Sequence, residues 1–203
     1  MRKLKIVISV LASFSFVVQL PVWASWAQVD HATKDEMLRR MTDEGSSKFL
    51  SGTIGVQEAF QKFDDRNREE AVAIGIKAAT DFDEARARFE AARDRVKEHS
   101  ELRDELNSRL SLRSYDERTQ PSALSPSDLE RLRRPAQLLA KDGGATALFD
   151  SAATRARGLR DKSEKVFRAI RAGAYVPTQG ADLLAEIGED LAFGASVSAV
   201  FQK

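Results

Sequence analysis

The sequence predicts an all-α protein, an elongated helical bundle in which one long, coiled-coil-like helix (about residues 67–113) packs antiparallel on later helices. Three observations predict this fold class. Apolar residues recur at alternating spacings of four and three from Ala71 to Val96, which is the period of a helical seam. Helix-capping patterns recur along the chain. No stretch shows a convincing strand pattern of alternating polar and apolar residues.

Composition narrows the function classes. The 203 residues are 42% hydrophobic and 31% charged, which is typical of a folded globular chain. The chain has 32 Lys and Arg residues and 31 Asp and Glu residues, so it lacks the strongly basic composition of a nucleic-acid-binding protein. No nucleic-acid partner is expected. The absence of cysteine excludes disulfides and thiol catalysis, and two distant histidines do not indicate a His-rich metal site.

The N-terminus has the layout of a secretory signal peptide. Arg2, Lys3 and Lys5 form a positive region, and an uncharged run follows from Ile6 to Ala27. Pro21 closes the apolar part of this run. This order of charge, apolar stretch and small residues predicts export.

Two cleavage sites fit the small residues that signal peptidase accepts, one after Ala27 and one after Ala24. We therefore expect a signal peptide at residues 1–27, a single helical domain at residues 28–203, and a periplasmic or secreted protein. The alternative is an uncleaved anchor, because an uncharged run of this length approaches the ~20 residues that span a bilayer. Only in that case is membrane association expected.

The first helix of the exported part is predicted from a capping box, with Thr33 as N-cap and Glu36 three residues later. Gly45–Ser47 are expected to end this helix. The stretch Phe49–Val56 contains two glycines and β-branched residues, which allow a short strand or a loop. A helix is then expected to resume toward Phe60.

Asn67 and Glu70 form a second capping box, which opens the long helix. If continuous, a helix of this length has on the order of 45 residues and is roughly 65–70 Å long. Such a helix cannot bury its own seam, so we expect it to fold against Ser125–Ala172. Glu84 and Arg88 have the spacing of an intrahelical ion pair. The seam consists of Ala71, Gly75, Ala78, Phe82, Ala85, Phe89, Ala92, Val96 and His99, and after a slip it continues through Leu102, Leu106 and Leu110.

Three further helices are predicted. One starts at Ser125, followed by proline at the first helical position, and Pro135 is expected to kink it. The next runs from about Ala145 to Ala172, with Gly173 as its C-cap. Thr178 is expected to cap a last helix that ends at about Val200.

No catalytic, cofactor-binding or metal-ligating residue is predicted, and no cofactor is expected. The chain has no phosphate-binding glycine loop, no nucleophile elbow and no zinc-binding helix motif. His31 is expected to be solvated in a mobile terminus, and His99 to be a histidine at the boundary of the core. Asp81 and Asp83 lie two positions apart and so splay apart on a helix, which does not suit a carboxylate dyad.

Arginines cluster in the C-terminal half, interleaved with acidic residues, and this mixture is typical of a solvated face. The acidic stretch Asp64–Glu70 lacks the glycine and the final carboxylate of a calcium loop, and favours a helix N-terminus. The arginines are Arg131, Arg133, Arg134, Arg155, Arg157, Arg160, Arg168 and Arg171.

Two classes of function fit these observations. The first is a non-enzymatic helical interaction protein of the bacterial envelope, such as an adaptor, a chaperone or a scaffold, or a minor pilus-type component of a secretion system. The second is a helical carboxylate-based hydrolase of cell-wall polymer. The composition favours the first class, and a protein partner or self-association is expected. The uncharged tail Leu191–Phe201 is expected to dock on its own bundle or, as the alternative, to form a docking surface for a partner or a second copy.

Overall fold

A computed structural model describes residues 31–116 and 143–199. Over these residues the chain forms five helices and no strand, which confirms the predicted all-α class. The signal segment 1–27 and the features predicted at Ser125 and Pro135 lie outside the described residues. The helices are α1 (His31–Asp64), α2 (Arg68–Glu98), α3 (Ser100–Asp116), α4 (Gly144–Ala172) and α5 (Pro177–Ala199).

Four of the helices pack as an up-down-up-down bundle. α2 packs between α1 and α4, and α5 covers α1 and α4 on the other side. Ion pairs record the antiparallel order of α1 and α2, with Lys62 on Glu70 near the turn and Lys48 on Glu84 farther along. The predicted packing of the long helix on α4 is present. α1 is a second partner that the sequence did not indicate.

The seam of α2 forms the centre of the core. Its members from Ala71 to Val96 are buried, and Leu102, Leu106 and Leu110 of α3 continue the buried face. The long helix is interrupted at one residue, because His99 has extended backbone angles (φ −123°, ψ 96°). This interruption lies at the slip in the apolar repeat. In a continuous helix, such a change of spacing would rotate the following apolar residues away from the core, and the extended residue returns them to it.

Three local predictions for α1 are wrong. Gly45–Ser47 do not end the helix, and Phe49–Val56 are neither strand nor loop, because α1 is continuous from His31 to Asp64. Thr33 lies inside this helix and is therefore not its N-cap. By contrast, Asn67 caps α2 as predicted, and its side chain accepts a hydrogen bond from the backbone N–H of Glu70 at 3.4 Å.

Two of the glycines of α1, Gly45 and Gly52, lie where aromatic rings of α2 occupy the space that a side chain would need. A Cβ at Gly52 would lie 2.8 Å from the ring of Phe82, and a Cβ at Gly45 would lie 2.8 Å from the ring of Phe89. Both rings are fully buried. The close approach of α1 to α2 thus offsets the low helix propensity of glycine, about 1 kcal/mol per residue.

The C-terminal helices follow the sequence with one correction. Gly173 has the left-handed conformation (φ 75°) of the predicted C-cap of α4. α5 begins at Pro177, so Thr178 lies within the first turn and is not the N-cap. Proline suits this position because it lacks an N–H, and an N–H in the first turn would have no helical partner. Phe193 and Val197 of the tail lie in the core. The side chain of Leu191, and residues 200–203, lie outside the described part.

Candidate functional site

A shallow groove runs along the outer face between α1 and α2. We call it the α1–α2 groove, and its cavity volume is about 500 Å³. Its apolar lining comes from Leu50, Ile54 and Gly55 on α1 and from Ile74 and Ala78 on α2. The small residues let the two helices approach closely, since a Cβ on Gly55 would lie 3.1 Å from that of Ala78. Leu50 and Ile54 therefore project beyond the small residues Gly55 and Ala78 at the base of the groove.

Leu50 and Ile54 are unusually open for large apolar side chains in the described part of the chain. They are 45% and 52% exposed, and they lie one helical turn apart. Ile74 faces them from α2 and is partly buried against the core. Adjacent exposed aliphatic side chains over a concave surface are typical of a contact surface for another apolar group.

A polar cluster borders the groove at its Leu50 end. We call it the Lys48 cluster, and it consists of Lys48, Ser51, Asp81 and Glu84. The ammonium of Lys48 lies 3.2 Å from Asp81 Oδ1 and 2.7 Å from Glu84 Oε2, and the hydroxyl of Ser51 donates to Asp81 Oδ2 at 3.0 Å. The side chain of Asp81 is only 9% exposed. These contacts tie α1 to α2 across the groove.

The carboxylates around Lys48 favour its charged form. Hydrogen bonds to Glu84 and then to Asp81 raise the pKa of Lys48 above its ordinary value. A lysine that serves as a base or nucleophile needs the opposite shift, toward neutral pH. Lys48 therefore acts as a charged clamp that holds two carboxylates, and the cluster positions the groove without activating Ser51.

The structure confirms part of the prediction for His31. Its side chain is 46% exposed, as expected of a solvated residue, but it begins α1, where its Nε2 is 3.1 Å from Glu105 Oε2 of α3. His99 is partly buried at the break between α2 and α3, as expected of a boundary histidine. His31 thus contacts α3 from α1, whereas His99 lies between α2 and α3.

The acidic pair of α2 separates as predicted. Asp81 faces α1 through the Lys48 cluster, whereas Asp83 pairs with Arg86 on its own helix at 3.1 Å. The two carboxylates therefore have different environments. Among the described residues, no group of three acidic or histidine side chains is arranged to hold a metal ion. No helix in the described ranges is long and apolar enough to cross a membrane.

The arginines of α4 lie on a mixed, ion-paired face. Arg157 pairs with Glu90 of α2 at 2.9 Å, and Arg160 pairs with Asp161 at 2.7 Å. Arg155 has a structural role, because it binds the buried Asp190 of α5 and stacks over the ring of Phe193 at 4.3 Å. Arg131, Arg133 and Arg134 lie outside the described residues.

Sequence reasoning missed the cross-helix ion pairs. Glu84 pairs with Lys48, and Arg88 pairs with Glu44 at 3.2 Å, in place of the expected pairing between Glu84 and Arg88. No signal in the sequence shows that Lys48 and Asp81 meet, because α1 was not predicted to be continuous there. The position of Asp81 beside Phe82 of the seam was the one available indication of its burial.

Comparison with known proteins assigns no family. The chain matches no family model, no curated protein and no solved structure.

Proposed function

We propose that this protein is an exported, non-enzymatic helical interaction protein of the bacterial envelope, an adaptor, chaperone or scaffold that binds another protein through the α1–α2 groove. The proposal of export rests on the sequence, on the positive N-terminal residues and the uncharged run Ile6–Ala27. The proposal of protein binding rests on the structure.

The observation that carries the proposal is the exposure of Leu50 and Ile54 above an apolar floor. Full burial of an exposed side chain of this size contributes about 1.5–3 kcal/mol. Because Leu50 and Ile54 are 45% and 52% exposed, covering both would contribute about 1.5–3 kcal/mol together. The core of the bundle is already complete without these two side chains, since the rings of Phe49, Phe82 and Phe89 fill the space between α1 and α2.

The predicted tail surface has less support. Phe193 and Val197 contribute to the core of the bundle, so these two members of Leu191–Phe201 hold α5 in place. We therefore assign the partner to the α1–α2 groove.

The geometry gives less support to the hydrolase alternative. A carboxylate-based glycosidase needs two carboxyl groups with separated roles, one of them kept protonated as an acid. Asp81 and Glu84 instead bind the same ammonium, that of Lys48, whose raised pKa keeps it charged. This arrangement favours a structural ion-pair network.

The test is to recover the mature protein from the native host with its partners. Cells are cross-linked and fractionated, the tagged protein is purified, and its N-terminus is sequenced. We expect the mature chain in the periplasmic fraction, starting at Gln28 or Ser25, with one protein enriched in stoichiometric amount. That enrichment should be lost with Ile54→Glu and kept with the matched surface variant Leu184→Glu, since Leu184 is 38% exposed on α5.

Three results would contradict the proposal. One is an intact, cytoplasmic chain, and another is an enrichment that does not depend on Ile54. The third is release of soluble fragments from purified cell wall by the wild-type protein but not by Asp81→Asn, which would establish the hydrolase alternative.

A further inference from the structure

We propose that α3 is a strap that holds the first turn of α4 through a polar latch, so that docking of α3 and folding of that turn are coupled. The latch consists of Asn107 on α3 and of Gly144 and Ala145 at the start of α4. The side-chain oxygen of Asn107 accepts a hydrogen bond from the backbone N–H of Ala145 at 2.9 Å, across 38 positions of the chain. No member of the latch lines the α1–α2 groove, so its role is separate from the proposed function.

The start of α4 needs such a contact because the helix brings no cap of its own. The first backbone N–H groups of a helix have no partner within the helix, and a polar side chain just before it commonly supplies one. The N-cap of α4 is Gly143, which has no side chain, and the first turn contains no acidic residue. Asn107 thus supplies from another helix the cap that Asn67 supplies locally to α2.

The backbone at the start of α4 is shaped to admit the side chain of Asn107. Gly143 and Gly144 have φ angles of 137° and 68°, which favour glycine. A Cβ at Gly144 would overlap the side-chain oxygen of Asn107 and would lie 2.9 Å from its Cγ. The amide group of Asn107 therefore fills the space that any other residue at position 144 would need.

The docking of α3 brings Asn107 to this point. Because the chain is extended at His99, α3 is a separate helix, and its position depends on its own contacts. Leu106, next to Asn107, is buried in the same core cluster as Ala145 of α4. A coupling between two contacts is reciprocal, so the latch stabilises the docked α3 to the same extent that docking of α3 stabilises the latch.

Amide hydrogen exchange, followed by NMR on the full mature chain, tests the latch at a single N–H. The N–H of Ala145 lies in the first turn and has no acceptor within α4, so its protection from exchange reports the bond to Asn107. Asn107→Ala should speed exchange of this amide by about fivefold or more, the effect of losing a helix cap. Asn107→Asp should keep the protection, because a carboxylate accepts the same bond and suits a helix N-terminus. The matched control Ser108→Ala, at an exposed position of α3, should leave the exchange unchanged.

A second substitution tests the coupling. Leu102 is buried and lies five positions before Asn107, so Leu102→Ala loosens α3 without touching the latch residues. It should also speed exchange at Ala145, but it should add nothing there once Asn107 is alanine, because the latch is already open. In Asn107→Ala, exchange at Leu106 of α3 should rise, and exchange at Phe82 in the centre of α2 should stay as in wild type.

Four results would overturn the proposal. The first is an Ala145 amide that exchanges equally fast in wild type and Asn107→Ala, and the second is an equal loss of protection in Ser108→Ala. The third is equal acceleration at Ala145 and Phe82, which would show a loss of overall stability in place of a latch. The fourth is full additivity of Leu102→Ala and Asn107→Ala at Ala145, which would show that α3 docking and the first turn of α4 are not coupled.

Discussion

Replacement of Gly75 by alanine tests the packing of α2 on α4. Gly75 is a member of the seam, and a Cβ there would lie 2.2 Å from both Cγ and Cδ2 of Phe167. Real Cβ contacts are essentially never shorter than 3.0 Å, so the ring or the helix must move by on the order of 1 Å. Phe167 is fully buried and packs against Phe60 with ring centroids 5.4 Å apart, so it has no free space to move into.

The magnitude follows from two opposing effects. Overpacking of a core costs about 1–3 kcal/mol, and the direct overlap with a ring favours the upper part of that range. Alanine in place of glycine in a helix contributes about 1 kcal/mol in the opposite direction. We therefore expect Gly75→Ala to lower the free energy of unfolding by about 2 kcal/mol.

Urea denaturation followed by circular dichroism at a helical wavelength measures this change. Gly158→Ala is the matched control, because it lies within α4 and a Cβ there meets no atom within 4 Å. The control should gain about 0.5–1 kcal/mol from helix propensity alone. Equal stability of the two variants would refute the packing of Phe167 on Gly75.

Three more predictions follow from the same contacts. Phe82→Asp should lower the free energy of unfolding by several kcal/mol, because it buries an unpaired charge. The control Leu184→Asp should change it by about 0.5 kcal/mol or less. An unchanged melting temperature for Phe82→Asp would contradict the burial of the seam. Burial, and then the charge of Asp64, raise the pKa of Tyr175, so its neutral form stabilises the fold below about pH 10 and this contribution is lost as the pH rises through the raised pKa. Urea midpoints from neutral pH to about pH 11 should therefore fall more for wild type than for Tyr175→Phe, and parallel curves would argue against this shift. Deletion of residues 191–203 should destabilise or aggregate the chain, because it removes the buried Phe193 and Val197, each worth about 1.5–3 kcal/mol; a truncated chain of unchanged stability in urea would show that the tail is not part of the core.

The sequence predicts the helical class, the seam and the start of α2 well because these depend on local signals, whereas the single long helix predicted over residues 67–113 is two helices separated at His99. The spacing of the seam and the cap at Asn67 depend on residues within one helix, and both are found as predicted. The same is true of Gly173, whose left-handed conformation needs only the end of α4. Local chemistry is sufficient where a helix starts, ends or turns one apolar face inward.

The path of α1 was not predictable in this way. Its glycines have low helix propensity, and the packing of α1 on α2, with the rings of Phe89 and Phe82 over Gly45 and Gly52, is a contact between residues distant in sequence. The candidate site depends on the same tertiary contact. Once Gly45–Ser47 were expected to end the helix, Leu50 and Ile54 had no predicted helical face, and Lys48 had no predicted partner in Asp81.

The central claim is that the α1–α2 groove is the surface through which this protein binds a partner in the envelope. The most direct measurement places a photoreactive amino acid at position 54 in living cells of the native host, with the same residue at position 184 as the control. We expect one discrete cross-linked protein from position 54, with an added mass that differs from the mass of this chain, and little or none from position 184. Equal yields at the two positions, or no adduct at position 54, would contradict it.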